Sequence, residues 1–534
     1  MHNKKPLQPA AEVRSRRKNV LRSTTLGAAV AGLFAAPLSQ AQVMRVEPAI
    51  GAEITVSDNG NQGPSGQEQA DVAIEVRPDF WVSYQTARLR AYGVLGVIAT
   101  TYIGGDRTGT IYPSINLGAT LQAIQNFFYI DADVVASRQF ENPFAPRSTS
   151  GDQNTYASYA YRIAPYFEGE LRGLRMRYLL RNEFLWTRAS GTDVFTPGVG
   201  VTGNEFDDGY EWRIRGELAT TGEGRRLGVL FQYERDFLRF PNQPEFIVEV
   251  GRAVASYQMT ESLSVNVRGG YEWEIFPASE GSGPIYGAGF SWRPTPRTDV
   301  TGFWEDRFFG SSWDANVSHR TPWFAASFSS SRLLSTGTQS LFDIPRTNDV
   351  FRSLDAILSS RIPDPVERTR AIRELQALTG LPSSLAVPVP IYSQRIDVQQ
   401  ANAVSVGLLG ARNSLVADAF YLTREGITAE GEPLPTPFRV FTDETQRGAS
   451  LTFSRRLTRA DSVNATVLWQ RTEGSTVVQS AAESTQRTTR LQYNKQLQPR
   501  TTAYAGVRYV DYTSNVFSNF TETAAFVGLF HRFY

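Results

Sequence analysis

From about residue 44 to the end of the chain, apolar and polar residues alternate with period two over stretches longer than most soluble strands. The clearest case places Leu263, Val265, Val267, Gly269, Tyr271 and Trp273 on one face and Ser264, Asn266, Arg268, Gly270, Glu272 and Glu274 on the other. Trp212, Ile214, Gly216 and Leu218 alternate with Glu211, Arg213, Arg215 and Glu217. Tyr178, Leu180, Phe184 and Trp186 alternate with Arg177, Arg181 and Glu183. Successive side chains of a strand point to opposite faces, so this pattern commits the chain to extended structure with one apolar and one polar side.

Three features turn the pattern toward a membrane. The runs pass the ~5–6 residues usual in globular sheets and reach the ~9–11 needed to cross a bilayer. Short links (Gln85 to Ala87, Arg172-Gly173, Thr260 to Ser262, Thr295 to Arg297, Pro499-Arg500) interleave with long ones at 139–154, 189–206 and 426–437, as short periplasmic turns and long external loops would. Aromatic residues collect near run ends (Phe80, Trp81, Tyr84; Phe127, Phe128, Tyr129; Trp186; Phe303, Trp304), the positions of interfacial girdles. The expected fold is an all-β transmembrane antiparallel barrel in the bacterial outer membrane, with about 22 strands (20–24). The first strand falls near 44–57 and the last near 521–534, and an even count puts both ends of the barrel on the periplasmic side.

Energetics assign the faces. An arginine on the lipid face near the midplane costs ~2–4 kcal/mol, so turning both Arg213 and Arg215 outward would cost roughly 4–8 kcal/mol. That rivals the ~5–15 kcal/mol net stability of a typical protein. The residues expected to line the lumen are therefore Arg177, Arg181, Glu183, Arg213, Arg215, Glu217, Arg268, Glu272 and Glu274, an assignment that a one-residue register error would reverse. Barrels of ~16 or more strands are too wide for side chains to fill, which favours a charged lining over a lumen packed shut by Arg–Glu pairs.

Composition agrees. The mean hydropathy of −0.29 excludes a helical membrane protein but not a barrel, in which only alternate residues meet lipid. With 54 basic and 53 acidic residues, the chain has no overall electrostatic footprint for nucleic acid. Cysteine is absent, which removes disulfides, thiolate metal sites and a cysteine nucleophile. No histidine has a partner at metal-ligand spacing. His319, beside Ser318 and Asp314, is the sole catalytic candidate, and a weak one, so no enzyme activity and no cofactor is expected.

Residues 1–41 read as a signal peptide: a basic n-region (Arg14, Arg16, Arg17, Lys18, Arg22), the apolar stretch from Thr25 to Leu38, and an A-x-A-like site at Ser39-Gln40-Ala41. Ser15-Arg16-Arg17 hints at a twin-arginine signal, but a barrel must cross the inner membrane unfolded, which favours the general route. Residues 42–534 form the barrel. Because alternation starts near Met44, no separate N-terminal plug precedes it, which argues against a TonB-dependent receptor.

One segment, 336–391, breaks the pattern. Asn348-Asp349 can cap a short helix carrying Phe351, Leu354 and Leu358. Asp364-Pro365 starts a second with Val366, Ile372, Leu375 and Leu378, and Gly380 can stop it. Strand parity puts this insertion on the external side, either folded over the mouth, or down into the lumen as a plug, or as a passive surface insertion. The final run places Phe526, Phe530 and Tyr534 on one face, an ending common in barrels delivered to the outer-membrane insertion machinery.

Several stretches resemble the PEP-CTERM system-associated outer-membrane β-barrel family. They are Arg45 to Asn59; residues 287–321, with a W-R-P-T-P-R-T turn followed by R-F-F-G; and residues 363–373 with Thr379-Gly-Leu-Pro382. The resemblance spans essentially the whole mature chain. It implies an outer-membrane location and an association with exopolysaccharide loci, and it supplies no functional residues. The expected partners are outer-membrane lipids, the insertion machinery and exopolysaccharide. Three functions stay open: a porin-like conduit for exopolysaccharide, an occluded barrel that anchors surface polymer, and a general diffusion porin.

Overall fold

A computed structural model describes residues 43–533 except 105–106, 108, 141, 148–154, 191–193, 197–199, 203–207, 222–225, 240–244, 277–278, 337–349, 360, 363–364, 380–395, 428–440 and 477–480. The residues read as a signal peptide, those expected to cap the helices (Asn348, Asp349, Asp364 and Gly380) and Tyr534 lie outside the described residues.

Strands run from β1 (Val43–Ser57) to β24 (Phe520–Arg532). Two of them, β8 (Val194–Thr196) and β9 (Gly200–Thr202), form a small separate hairpin in one loop. The other 22 make a single antiparallel sheet in which each strand pairs with its neighbours in sequence. The sheet closes because β1 pairs with both β2 (Asp71–Gln85) and β24. Closure leaves no unpaired edge, which is the condition for a sheet to sit in hydrocarbon. The barrel strands hold 10 to 17 residues, enough to cross. Their exposed side carries Ile54, Val267, Trp273, Trp292, Leu451, Val507 and Val527. A closed barrel of this size with an apolar outer face is an outer-membrane barrel.

The links on the periplasmic side are all short, from two residues (296–297, 499–500) to six (221–226). The external ones run from two residues (277–278, 308–309) through five or six (477–481, 515–519, 104–109, 240–245) to thirteen or more (58–70, 141–154, 191–208, 427–440), so alternation in length is imperfect. The 308–309 link joins β15 (Thr298–Arg307) to β16 (Gly310–Arg320), the shortest barrel strands. The wall is low there.

Inward-facing glycines let neighbouring strands carry large side chains into the interior. On β14 (Ser279–Thr295), a Cβ at Gly287 would lie 2.1 Å from the carbonyl oxygen of Trp304 and 2.9 Å from Cγ of Glu305.

The insertion forms two helices, α1 (Val350–Leu358) and α2 (Pro365–Thr379). It enters from the external side, between β17 (Phe324–Thr336) and β18 (Ile396–Leu409), yet its helices sit at the periplasmic end. Leu354, Leu358 and Ile372 pack with Val416, and Leu409 lies against them. Val416 and Leu409 flank the periplasmic link 410–412. The Arg320 guanidinium donates to Ser359 at 2.9 Å. Arg370 lies 3.8 Å from Glu47, and Arg373 stacks over Trp81 at 4.7 Å. These partners come from widely separated strands, so the pair stands inside the barrel.

One reading from the sequence is extended by the structure and another corrected. Phe526 and Phe530 lie on the inner face of β24: Phe526 is 4% exposed, while Val527, Leu529 and Phe533 are the exposed residues. The outward C-terminal aromatic is thus Phe533. Of the aromatic clusters, Phe80, Phe127, Trp186 and Trp304 are exposed, but Trp81 and Phe303 take the opposite parity and face inward, where each stacks with an arginine.

Candidate functional site: the barrel lumen

The polar face of the alternating strands becomes a band of ion pairs. On β7 (Met176–Ser190), Arg181 contacts Asp131 at 2.7 Å and Glu183 at 2.6 Å. On β10 (Gly209–Thr220), Arg213 reaches Asp236 at 2.6 Å, Glu211 at 3.0 Å and Glu183 at 3.4 Å. Arg215 pairs with Glu234 at 3.1 Å, and Glu217 accepts from Gln232 at 3.3 Å. On β13 (Leu263–Phe276), Arg268 pairs with Glu305 at 3.2 Å and stacks over Phe303 at 4.0 Å. Glu272, fully buried, holds Arg307 at 2.8 Å.

The nine residues assigned by parity thus share one side of the wall but differ in setting. Arg181, Glu183, Arg213, Arg215, Arg268 and Glu272 are tied into ion pairs. Glu274 keeps one carboxylate oxygen without a partner among the described residues. Arg177 stands exposed at the periplasmic rim with no ion pair among the described residues. The wall is more self-satisfied than an open charged lining would be, because most guanidiniums find a carboxylate on their own strand or within two strands of it.

Some charges do face outward. Arg235 and Glu249 are register partners 3.9 Å apart on the outer face, and Tyr233 donates to Glu249 at 2.9 Å. Arg471 and Glu483, 2.9 Å apart, behave likewise. All are paired and lie in the external third of their strands, where the cost of a lipid-face charge falls to ~0–1 kcal/mol.

Two contacts bridge the lumen on its external side. The link between β5 (Phe128–Phe140) and β6 (Thr155–Leu171) dips inward. Phe144 is fully buried, and its carbonyl accepts the hydroxyl of Tyr512 on β23 (Thr501–Ser514). The Arg147 backbone N–H donates to Gln486 at 2.9 Å, and its guanidinium donates to Gln470. Burial pushes the Arg147 guanidinium down to about 9, against the pull of Glu444.

Past the low wall at β15–β16, the rims of β17 and β18 meet the opposite wall. Thr336 donates to Glu211 at 2.8 Å. Leu334 and Ile396 pack with Leu238 of β11 (Leu227–Arg239), with Phe246, Val248 and Val250 of β12 (Phe246–Gln258), and with Tyr156 and Ala160 of β6. Thr336 shares a strand face with Phe328, which is exposed on the outside lower down. The rim of β17 is therefore covered by the wall across from it.

Sequence reasoning missed this apolar closure. Its signal was present: in β12, FIVEVGRAVASYQ, Phe246, Val248 and Val250 share the inward parity of Arg252, so the lumen face turns apolar at the external end.

His319 shares a hydrogen bond of 2.9 Å with the Thr298 hydroxyl. Ser318 and Asp314 lie on the opposite strand face, so no nucleophile–base pair forms around His319.

No protein-family model and no curated protein sequence matches the chain. Among solved structures it is similar to the siderophore receptor PirA from Acinetobacter baumannii, at 12% identity and a TM-score of 0.45, over 91% of this chain and 80% of that one. It is similar to the FrpB iron transporter from Neisseria meningitidis at 8% identity and a TM-score of 0.45, over 91% and 82% of the two chains. It is also similar to OccK5 from Pseudomonas aeruginosa at 8% identity and a TM-score of 0.32, over 92% and 98%.

Proposed function

We propose that this outer-membrane barrel is a porin-like conduit for exopolysaccharide, held shut here by the helix pair at its periplasmic end. The observation that carries the reading is how the pair is held. It stands within a hydrogen-bonded barrel that closes without it, and it meets the wall through side chains: an apolar cluster, and charged contacts at Arg320, Glu47 and Trp81. Such an element can be displaced without breaking a strand. The polymer class comes from the resemblance of residues 287–321 and 363–373 to an exopolysaccharide-associated family.

The test pairs two measurements. Deleting residues 350–379 should open the barrel in planar bilayers, and a null strain should accumulate polymer in the periplasm. Unchanged conductance and normal secretion together would overturn the conduit.

A second reading, an occluded barrel that anchors surface polymer, is favoured by the contacts that close the external side without the helices, Thr336 to Glu211 and Phe144 to Tyr512. It predicts a silent barrel even after the deletion, and normal secretion with polymer shed from the surface. Steady conductance of small solutes by the intact protein would instead mark a general diffusion porin.

A further inference from the structure

At the periplasmic mouth, a cavity of about 900 Å3 lies between α1 and the inner face of β14 to β18. Its wall is a ladder of small polar side chains: Ser318 is the register partner of Ser327, and Asn316 of Ser329, while Ser327 in turn faces Ser405 on β18. The hydroxyls of Ser318, Ser327 and Ser329 have no hydrogen-bond partner among the described residues. Its lip is the turn from Arg293 to Arg297, with Arg320 beside it.

These arginines differ from those of the wall above. Arg293 is paired with Asp299 at 2.7 Å. Arg297 has no carboxylate partner among the described residues, and the Arg320 guanidinium holds only the Ser359 hydroxyl. Two guanidiniums without a carboxylate partner among the described residues therefore border a cavity whose wall carries the free hydroxyls of Ser318, Ser327 and Ser329.

The two ends of the barrel also differ in charge. The ten periplasmic links contain nine arginines and two glutamates. Leaving the helical insertion aside, the external links contain twelve carboxylates and three arginines. One mouth thus gathers anions and the other repels them.

We propose that this cavity binds an acidic, hydroxyl-rich chain, a uronate-bearing polysaccharide segment presented from the periplasm. The inference rests on the conduit reading and narrows it to an anionic polymer. The guanidinium fork matches a carboxylate with two parallel hydrogen bonds. The serine ladder offers several weak contacts to sugar hydroxyls, as a passing chain requires. Acidic external loops would disfavour rebinding on exit.

The test is binding to the full mature barrel in detergent, by calorimetry, with three probes of equal length: hexameric oligogalacturonate, maltohexaose and hexaglutamate. Oligogalacturonate should bind at least tenfold more tightly than either of the others. The double variant R297Q/R320Q should lose about tenfold in that affinity. R459Q, on the distant link 457–460, should lose none. Both arginines are exposed, and heat-modifiable gel mobility verifies that the variants fold. Equal binding of hexaglutamate would assign the mouth to an acidic protein partner and overturn the proposal, as would full affinity in the double variant. Binding and passage are read separately. A barrel that binds oligogalacturonate but passes no polymer defeats the conduit alone. One that conducts after deletion of 350–379 but ignores oligogalacturonate defeats this inference alone.

Discussion

Replacing Arg213 with methionine removes a cation that contacts three inner-wall carboxylates, Asp236 at 2.6 Å, Glu211 at 3.0 Å and Glu183 at 3.4 Å. The Arg213 side chain is 13% exposed and that of Glu211 fully buried, so solvent screens little of the loss. Breaking a buried pair from one side costs about 3–5 kcal/mol, because the stranded charge stays behind. At ~1.4 kcal/mol per tenfold, the folding constant should fall by a factor between roughly a hundred and several thousand. Arg177→Met is the matched control: Arg177 is the second residue of its strand on the same face, exposed and without an ion pair among the described residues, and the change should cost no more than ~0.5 kcal/mol. Urea titration of the refolded barrel, followed by tryptophan fluorescence, reads both. If Arg213→Met proves as mild as Arg177→Met, the ion-pair band is not what fixes the inner wall, and the reasoning fails.

Further outcomes follow from single sites. Gly287→Ala forces a Cβ to 2.1 Å from the Trp304 carbonyl and should cost about 1–3 kcal/mol, whereas Gly283→Ala, four residues along the same face with nothing within 4 Å, should leave the heat-modifiable shift intact. Ile372→Asp puts a charge into the apolar seat of the helices, where Ile372 is fully buried; it should raise bilayer conductance while leaving the unfolding midpoint of the barrel within error of the parent, and a silent channel would argue against the helices as the closing element. The β5–β6 link should dock more firmly as pH rises through about 9. Burial lowers Arg147 to about 9, below its undocked value, so docking favours the neutral form and strengthens between those two values. Thiol reactivity of an Ala145→Cys variant, corrected for thiolate fraction, should therefore drop from pH 8 to pH 10.

Much of this architecture is legible in the sequence, for a physical reason. A charge on the lipid face is costly at mid-membrane, so Trp212, Ile214 and Leu218 separate cleanly from Arg213, Arg215 and Glu217, and strand number and face follow from period two alone. The same rule weakens where its energetic basis does. Near the external interface Arg235 and Glu249 turn outward as a pair, and parity alone does not flag them. On β12 the inward parity carries Phe246, Val248 and Val250 while Glu249 points outward, so the rule that polar residues face the lumen is inverted where the closure forms. Parity also fixes the side on which a loop leaves the barrel, not where it ends. Residues 350–379 leave externally and finish beside Glu47 and Trp81 at the far end. Their destination depends on partners distributed over five strands, a non-local property that no window of sequence contains. The shared face of Phe526 and Phe530 is legible from their spacing, but not that it is the inner one, where Arg490 stacks over Phe526 at 4.0 Å.

The most direct check on the whole account is a cysteine scan along β13, in a chain whose natural sequence contains no cysteine. Single substitutions from Val265 to Trp273 are probed in intact outer membranes with a bilayer-confined thiol reagent. Labelling should rise at 265, 267, 269, 271 and 273 and fall at 266, 268, 270 and 272. A profile without that two-residue rhythm, or one inverted so that the Arg268 and Glu272 positions label best, would contradict the barrel described above.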